Sequence, residues 1–143
     1  MTGACLGLAM GPILGGWQAL VNAPATPLPA DWRAVLAPLL PDLPLDDVRL
    51  CAPARLPVPL PYIGFTLGRT IFLRAPLGTL SGPQLCLIAH ELAHVAQFRR
   101  LGFARMCAAY GAGLLRHGYA DHPMEHEARA IEARVRASLV AVP

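Results

Sequence analysis

The sequence contains no lysine, so all 12 of its basic residues are arginines. Charged residues make up only 15% of the 143 residues, and the arginines form no run longer than the pair Arg99 and Arg100. A nucleic-acid-binding surface concentrates basic side chains in a patch or stripe, so this distribution argues against a nucleic-acid partner. Hydrophobic residues account for 55% of the chain, which excludes a disordered protein and, at this length, predicts one folded domain.

The cysteines form no C-x-x-C pair and are widely separated along the chain. They are Cys5, Cys51, Cys86 and Cys107. This spacing does not fit a disulfide framework or a zinc ribbon. We interpret the cysteines as small buried hydrophobic residues in a reducing compartment, which favours the cytoplasm as the location of the protein.

The first 30 residues carry no charged side chain, and we interpret residues 1–30 as an uncharged apolar arm that precedes a domain at 31–143. Pro12 and the pair Gly15 and Gly16 interrupt the apolar run, which argues against a membrane-spanning helix. No lysine or arginine precedes the run, which argues against a signal peptide. Packing of the arm on the domain is favoured, and membrane contact and export stay open as alternatives.

The sequence of the first half of the domain predicts short helices and strands. Frequent prolines between Ala23 and Pro61 exclude long helices there. A short helix fits residues 31–40 with Asp31 as its N-cap, and residues 48–51 fit a short strand. Residues 62–74 predict a β-hairpin with its turn at Leu67, Gly68 and Arg69, because β-branched and aromatic residues flank that turn.

Three longer helices are predicted in the second half. The first begins at Ser81 in a capping-box pattern and ends before Gly102. The second covers 103–117 and ends before Gly118, and the third begins at Pro123. The predicted inward stripe of the second helix is Phe103, Met106, Cys107, Tyr110 and Leu114. Together these elements predict an α+β fold, with a small hairpin or sheet packed on a buried first helix and two further C-terminal helices.

The buried helix carries the pattern His-Glu-x-x-His at residues 90–94. Because His90 and His94 lie one turn apart on the same helix face, both imidazoles can bind a single metal ion. Glu91 projects about 100° away from His90. Its carboxylate is then placed beside the ion, where it can accept a proton from a water molecule that the ion binds.

A catalytic zinc site usually has three protein ligands, so a third is needed. The metzincin extension is excluded because Gln97 and Arg100 stand where that pattern has glycine and histidine. We favour Glu125 at the start of the third helix, since it would complete a set of two histidines and one glutamate. The alternatives that stay open are His117, His122, His126 and Glu127.

Two segments together resemble a known class of enzymes. One is the His-Glu-Leu-x-His-x-x-Gln motif that begins at His90, and the other is the Glu-x-Glu-Ala motif that begins at Glu125. The pattern resembles the gluzincin class of zinc metallopeptidases, whose third ligand is a glutamate on a later helix. More narrowly, residues 48–136 look like a group of small bacterial metallopeptidase-like domains, some of which are associated with contractile injection systems.

The resemblance implies a minimal zincin-like fold, a zinc ion (Zn²⁺) held by His90, His94 and Glu125, and Glu91 as the general base. One position departs from the gluzincin pattern. Arg129 stands where many gluzincins have an aspartate that orients a ligand histidine. Glu132 and Asp121 are the candidates to take over that role.

We therefore expect a zinc-dependent hydrolase of peptide bonds that acts on a peptide or protein substrate. Thr70–Leu73 is the candidate strand for aligning the substrate. The candidate donors to the oxyanion are Tyr110, Tyr119 and His117. Two alternatives stay open: a catalytically inactive metal-binding structural or cargo domain, and a membrane-associated protein. The sequence leaves the oligomeric state undetermined.

Overall fold

Four short strands and four helices make up the part of the chain that the computed structural model describes, residues 24–54 and 63–140. The strands are β1 (Thr26–Pro27), β2 (Arg49–Cys51), β3 (Gly64–Leu67) and β4 (Thr70–Leu73). The helices are α1 (Ala30–Leu36), α2 (Gly82–Leu101), α3 (Phe103–His117) and α4 (Pro123–Val140). A short 3-10 turn covers Leu45–Asp47. The predicted α+β class is confirmed.

The strands form a mixed sheet in the order β1-β2-β4-β3. β2 is parallel to β4, whereas β1 and β3 pair antiparallel with their neighbours. The predicted hairpin is present as β3 and β4, and its turn places Gly68 at a φ of 62°, which favours glycine. β3 therefore lies at an edge of the sheet, and β4 lies in its interior.

Helix α2 lies at the centre of the fold, between the sheet on one side and α4 on the other. Its apolar residues Leu85, Ile88 and Leu92 belong to the main core together with Ile71 from β4 and Trp32 from α1. The predicted burial of this helix on several sides is thus observed, and every polar side chain that it buries needs a partner.

The ends of the long helices lie where the sequence predicts them. α2 ends at Leu101 before Gly102, whose φ is 78°, and α3 ends before Gly118, whose φ is 70°. Ser81 occupies the N-cap position of α2, but its side chain makes no capping hydrogen bond. The prediction for α1 was less accurate, because the helix begins at Ala30 behind Pro29 and Asp31 lies in its first turn.

Part of the segment that we interpreted as an arm belongs to the fold. β1 pairs with β2, and Leu28 is buried in the main core, so the folded region begins before Asp31. Residues 1–23 lie outside the described residues. Among the helices that the structure describes, none has the length and apolar character needed to cross a bilayer.

The predicted inward stripe of α3 is wrong for most of its members. Met106 is buried and Tyr110 is half-buried, but Phe103, Cys107 and Leu114 are exposed. The reason is that α3 packs chiefly against α2, which covers one side of it. Cys51 and Cys86 are free and buried as expected, whereas Cys107 is free and exposed, which corrects our interpretation of that cysteine.

Candidate metal centre

Two histidines from α2 and one glutamate from α4 converge between these helices. Nε2 of His90 lies 3.2 Å from Oε2 of Glu125, and Nε2 of His94 lies 3.3 Å from Oε1 of the same carboxylate. The three ligand atoms all lie within 4.8 Å of one another. Tetrahedral zinc with ligands at about 2.0–2.1 Å separates neighbouring ligand atoms by about 3.3 Å. The spacing of this group therefore suits a metal ion.

The Nδ1 atom of each histidine faces an acceptor of its own. Nδ1 of His90 lies 3.3 Å from Oε2 of Glu132, and Nδ1 of His94 lies 2.9 Å from Oε1 of Gln97. An acceptor at Nδ1 selects the tautomer that carries its hydrogen there. In the neutral form of each ring the Nε2 lone pair then points toward Glu125, which is the arrangement of a metal-binding histidine.

The orientation of Gln97 is fixed by its other contacts. Its Nε2 donates to the carbonyl oxygen of Met124 at 3.0 Å and to Glu127 Oε2 at 3.0 Å, so its Oε1 must face His94. Arg100 holds Glu127 in turn through two hydrogen bonds of 2.9 and 3.0 Å, and this pairing holds the pKa of Glu127 below its usual value. The amide that supports His94 is thus fully buried and held from both sides.

The Glu125 side chain is 1% exposed, and its carboxylate receives fewer hydrogen bonds than its two oxygens can accept. The hydroxyl of Tyr110 donates to its Oε1 at 2.6 Å, but its Oε2 accepts no hydrogen bond within the described residues. Burial acts to raise the pKa of Glu125, but His90, His94 and Tyr110 together hold it well below its usual range. The Nε2 lone pairs of the two imidazoles and the Glu125 carboxylate therefore face one another. A cation bound between them would interact favourably with all three groups.

The pKa of His94 also indicates that a positive charge is favourable in this group. Burial lowers the pKa of His94, but the neighbouring Glu125 carboxylate and the Gln97 amide outweigh this effect and raise it overall. A proton on the imidazole and a divalent cation are alternative ways to neutralise the same buried carboxylate. The donor set of two imidazoles and one carboxylate, with an orphaned carboxylate oxygen, fits zinc.

Glu91 lies against the edge strand and not between the three candidate ligands. Its Oε2 accepts a hydrogen bond of 2.7 Å from the hydroxyl of Thr66 on β3. A Cβ atom added to Gly64 would lie 2.7 Å from Oε1 of Glu91, so the strand approaches this carboxylate as closely as a glycine permits. Burial raises the pKa of Glu91, although Thr66 and the two histidines oppose this effect.

Comparison with known protein families gives a match over the first part of the described structure, up to the end of α2. The chain matches the model of the eCIS core domain, named for extracellular contractile injection systems, over residues 27–102. The chain belongs to the eCIS core domain family. This result confirms the association with contractile injection systems that the resemblance implied. The match includes His90, Glu91 and His94 and ends before α3. No curated protein and no solved structure matches the chain.

The other candidate ligands of this eCIS core domain lie outside the group. His117 and His126 are exposed, and Glu127 is held by Gln97 and Arg100. His122 is 1% exposed, but both ring nitrogens are occupied by the backbone. Its Nδ1 accepts from the Met124 N–H at 3.1 Å, so its Nε2 donates to the Tyr110 carbonyl oxygen at 2.9 Å. His122 therefore joins α3 to the start of α4.

Among the described residues, the hydrogen bonds of Arg129 go to the backbone and not to a histidine. Its guanidinium donates to the carbonyl oxygens of Ala120 at 2.7 Å and Tyr119 at 3.1 Å, which fixes the turn between α3 and α4. Glu132, one of the two candidates for supporting a ligand histidine, contacts His90, with its Oε2 3.3 Å from Nδ1 of that ring. Asp121, the other candidate for that role, is exposed.

Sequence reasoning missed the contacts of Thr66 and Gly64 with Glu91, because nothing local to the hairpin indicates which helix residue it faces. Glu132, in contrast, was one of the two candidates named from the sequence for supporting a ligand histidine. Glu132 follows Glu125 by seven residues, and this spacing places both carboxylates on the same face of a helix.

Replacing Gly113 with alanine should destabilise the domain. A Cβ atom at this position would overlap the ring of His122, and overpacking of this kind costs about 1–3 kcal/mol. Gly111 is the matched control, because a Cβ atom there meets nothing within 4 Å. Gly111→Ala should raise the free energy of unfolding by up to about 1 kcal/mol. Urea unfolding of both variants tests this, and equal stabilities would contradict the packing of His122 against α3.

Proposed function

We propose that this protein is a zinc-dependent hydrolase of peptide bonds. His90, His94 and Glu125 hold the ion, and Glu91 acts as the general base. The observation that carries the proposal is the convergence of two Nε2 lone pairs on a buried carboxylate whose Oε2 accepts no hydrogen bond within the described residues. Such a group would supply three protein ligands to an ion, which is the number that catalytic zinc sites usually have.

The ion and the protein would contribute different parts of the reaction. A bound zinc ion would polarise the attacking water and the substrate carbonyl. Glu91 would accept the proton from that water and pass it to the leaving amine, and its raised pKa suits a group that must both take and release a proton. The Thr66 hydroxyl holds the Glu91 carboxylate in place during both steps.

The edge strand β3 offers the means to align a peptide. It is the last strand of the described sheet on that side, and it carries Thr66, which contacts Glu91. An extended peptide can pair with such an edge through main-chain hydrogen bonds. The strand that we first favoured, Thr70–Leu73, is wrong for this role because it is β4, which β2 and β3 cover on both sides.

An apolar cavity of about 290 Å³ adjoins this edge. Its lining includes Ile63, which precedes β3, and Leu87 and Ile88, which lie one turn before Glu91 on α2. A cavity of this character accepts an apolar side chain, and its lining by residues one helical turn before Glu91 supports a substrate with such a residue near the scissile bond.

Tyr110 is better suited to supporting Glu125 than to binding the oxyanion. Its hydroxyl donates to Glu125 Oε1 at 2.6 Å, and its ring stacks on His122 with 4.4 Å between ring centroids. Tyr119 and His117, the other candidate donors, are exposed on the surface near the end of α3.

The test is a metal-dependent cleavage assay. We expect zinc-loaded protein to cleave members of a peptide library, a chelator to abolish cleavage, and added zinc to restore it. Elemental analysis of protein purified without chelator should find about one zinc ion per chain. Protein with no metal, or cleavage that chelation leaves unchanged, would contradict the proposal.

Membership of the eCIS core family supports a second candidate function. The same ligands would then hold a structural metal ion in a domain that assembles with other parts of an injection system. Full zinc occupancy without cleavage of any library member would favour this candidate. Structural zinc sites are closed by a fourth protein ligand, whereas the group here has three among the described residues.

Removing the carboxylate of Glu132 should weaken zinc binding without removing a ligand. Glu132→Ala deprives His90 of the acceptor at Nδ1, and loss of such a partner typically lowers metal affinity about 10–100-fold. Competition with a chelator measures the change. Arg136→Ala is the matched control, since Arg136 contacts Glu132 from the solvent side and should alter affinity far less. Equal affinities of parent and Glu132→Ala would contradict the role of Glu132.

A further inference from the structure

Helix α3 has an outer face that is apolar and exposed. We define this outer face by Phe103, Ala104, Cys107, Ala108, Leu114 and Leu115, all of which are exposed. Phe103 is 57% exposed and Leu115 is 91% exposed. At about 100° per residue these six positions share one side of the helix. Within residues 24–54 and 63–140 this face is covered only in part, by contacts such as that of the Phe103 ring with the Phe98 ring, whose centroids lie 5.6 Å apart.

The composition of α3 is unusual for a helix with so little burial. Its 15 residues include two arginines, Arg105 and Arg116, and helical geometry places both to one side of the outer face. Met106 is the residue of α3 that the described structure buries. A helix that is apolar on most sides is normally covered on most sides, so this helix is suited to a further partner.

The N-terminal segment of the chain is apolar and uncharged, like the outer face. Residues 1–23 contain no charged side chain and include Leu6, Leu8, Ile13, Leu14 and Trp17. The described structure begins at Pro24, directly before β1. A segment of 23 residues spans up to about 75 Å when extended, which exceeds the diameter of a domain of this size. The segment can therefore reach α3 from its attachment point.

We propose that residues 1–23 cover the outer face of α3 in the same molecule. Covalent attachment gives the segment a local concentration in the millimolar range, well above that of a second copy in dilute solution. Because neither the segment nor the outer face carries a charged side chain, contact between them would bury no unpaired charge. The contact would press α3 against α2 and thereby hold Tyr110, which donates to Glu125. The proposal does not depend on metal binding or hydrolysis.

The native cysteines provide a direct test in the full-length protein. Cys107 lies on the outer face, Cys5 lies in the segment, and Cys51 and Cys86 are buried. Treatment with a short bis-maleimide should link Cys5 to Cys107 within one chain, as detected by intact mass and peptide mapping. Leu115→Glu should lower the yield about tenfold, because the segment would then have to bury an unpaired charge.

Arg116→Glu is the matched control, since it changes the charge of the neighbouring exposed residue beside the outer face. Its yield should stay within about twofold of the parent. A Cys5–Cys107 link between two chains would overturn the proposal in favour of a dimer, and no link at all would overturn it outright. An equal yield in Leu115→Glu and Arg116→Glu would also overturn it, because the link would then arise from random encounters of a tethered segment.

Discussion

Replacing Glu125 with alanine should lower the zinc content of the purified protein from about one ion per chain to less than about a tenth of that. The carboxylate is the sole anionic ligand in the group, and its removal leaves two neutral imidazoles at an open position. Elemental analysis of protein purified without chelator measures the effect. Glu125→Gln keeps the size of the side chain and removes its charge, so it should lose zinc as well.

His126→Ala is the control for this experiment. His126 follows Glu125 on the same helix and is exposed, so its removal should leave zinc content and stability unchanged. Circular dichroism and thermal unfolding show whether each variant is folded. A folded Glu125→Ala protein with full zinc occupancy would mean that the ion is held elsewhere, and His90 and His94 would then lose their assigned role.

The Glu91→Gln variant should retain zinc and lose turnover by about 10²–10⁴-fold, the range that general acid–base catalysis contributes. Glutamine preserves the shape of the side chain and an oxygen that can accept from Thr66, but it cannot take a proton from water. Because Glu91 lies beside the ligand group, zinc content should match that of the parent. The measurement combines elemental analysis with the rate of cleavage of the best library peptide.

Asp121→Asn makes the same chemical change at an exposed carboxylate and should leave the rate unchanged. Undiminished, metal-dependent cleavage by Glu91→Gln would remove Glu91 from the mechanism. This variant also separates the two candidate functions. A structural metal site has no use for a proton acceptor next to the ion, so the variant would then differ from the parent in no measured property.

The local part of the site could be predicted from the sequence. His90 and His94 share a helix face because the helical repeat places residues four apart above each other, and this is independent of the rest of the fold. The helix ends at Gly102 and Gly118 and the hairpin turn at Gly68 were equally local, since each needs the positive φ that glycine adopts readily.

Burial of α3 was mispredicted for a physical reason. Helical periodicity reports which residues share a side, but it does not report whether another element covers that side. Phe103, Cys107 and Leu114 share a side with Met106 in the sequence pattern, yet in the structure Met106 is buried and the other three residues are exposed. The prediction of Thr70–Leu73 as the strand that aligns the substrate was wrong for a similar reason. The pairing of β4 with β2 is a contact between segments about 20 residues apart, and a local pattern does not report it.

By itself, the sequence determined the two histidines on one helix, the glutamate next to them, and a short set of candidates for the third ligand. Only the tertiary structure showed which of those candidates lies next to both histidines. The choice depends on how α4 packs against α2, and this packing turns Glu125 inward while Arg100 and Gln97 hold Glu127. It also decided that Glu132 supports His90 and that Thr66 holds Glu91. Such contacts join residues that are distant in the chain, and only the packing of whole elements brings them within hydrogen-bonding distance.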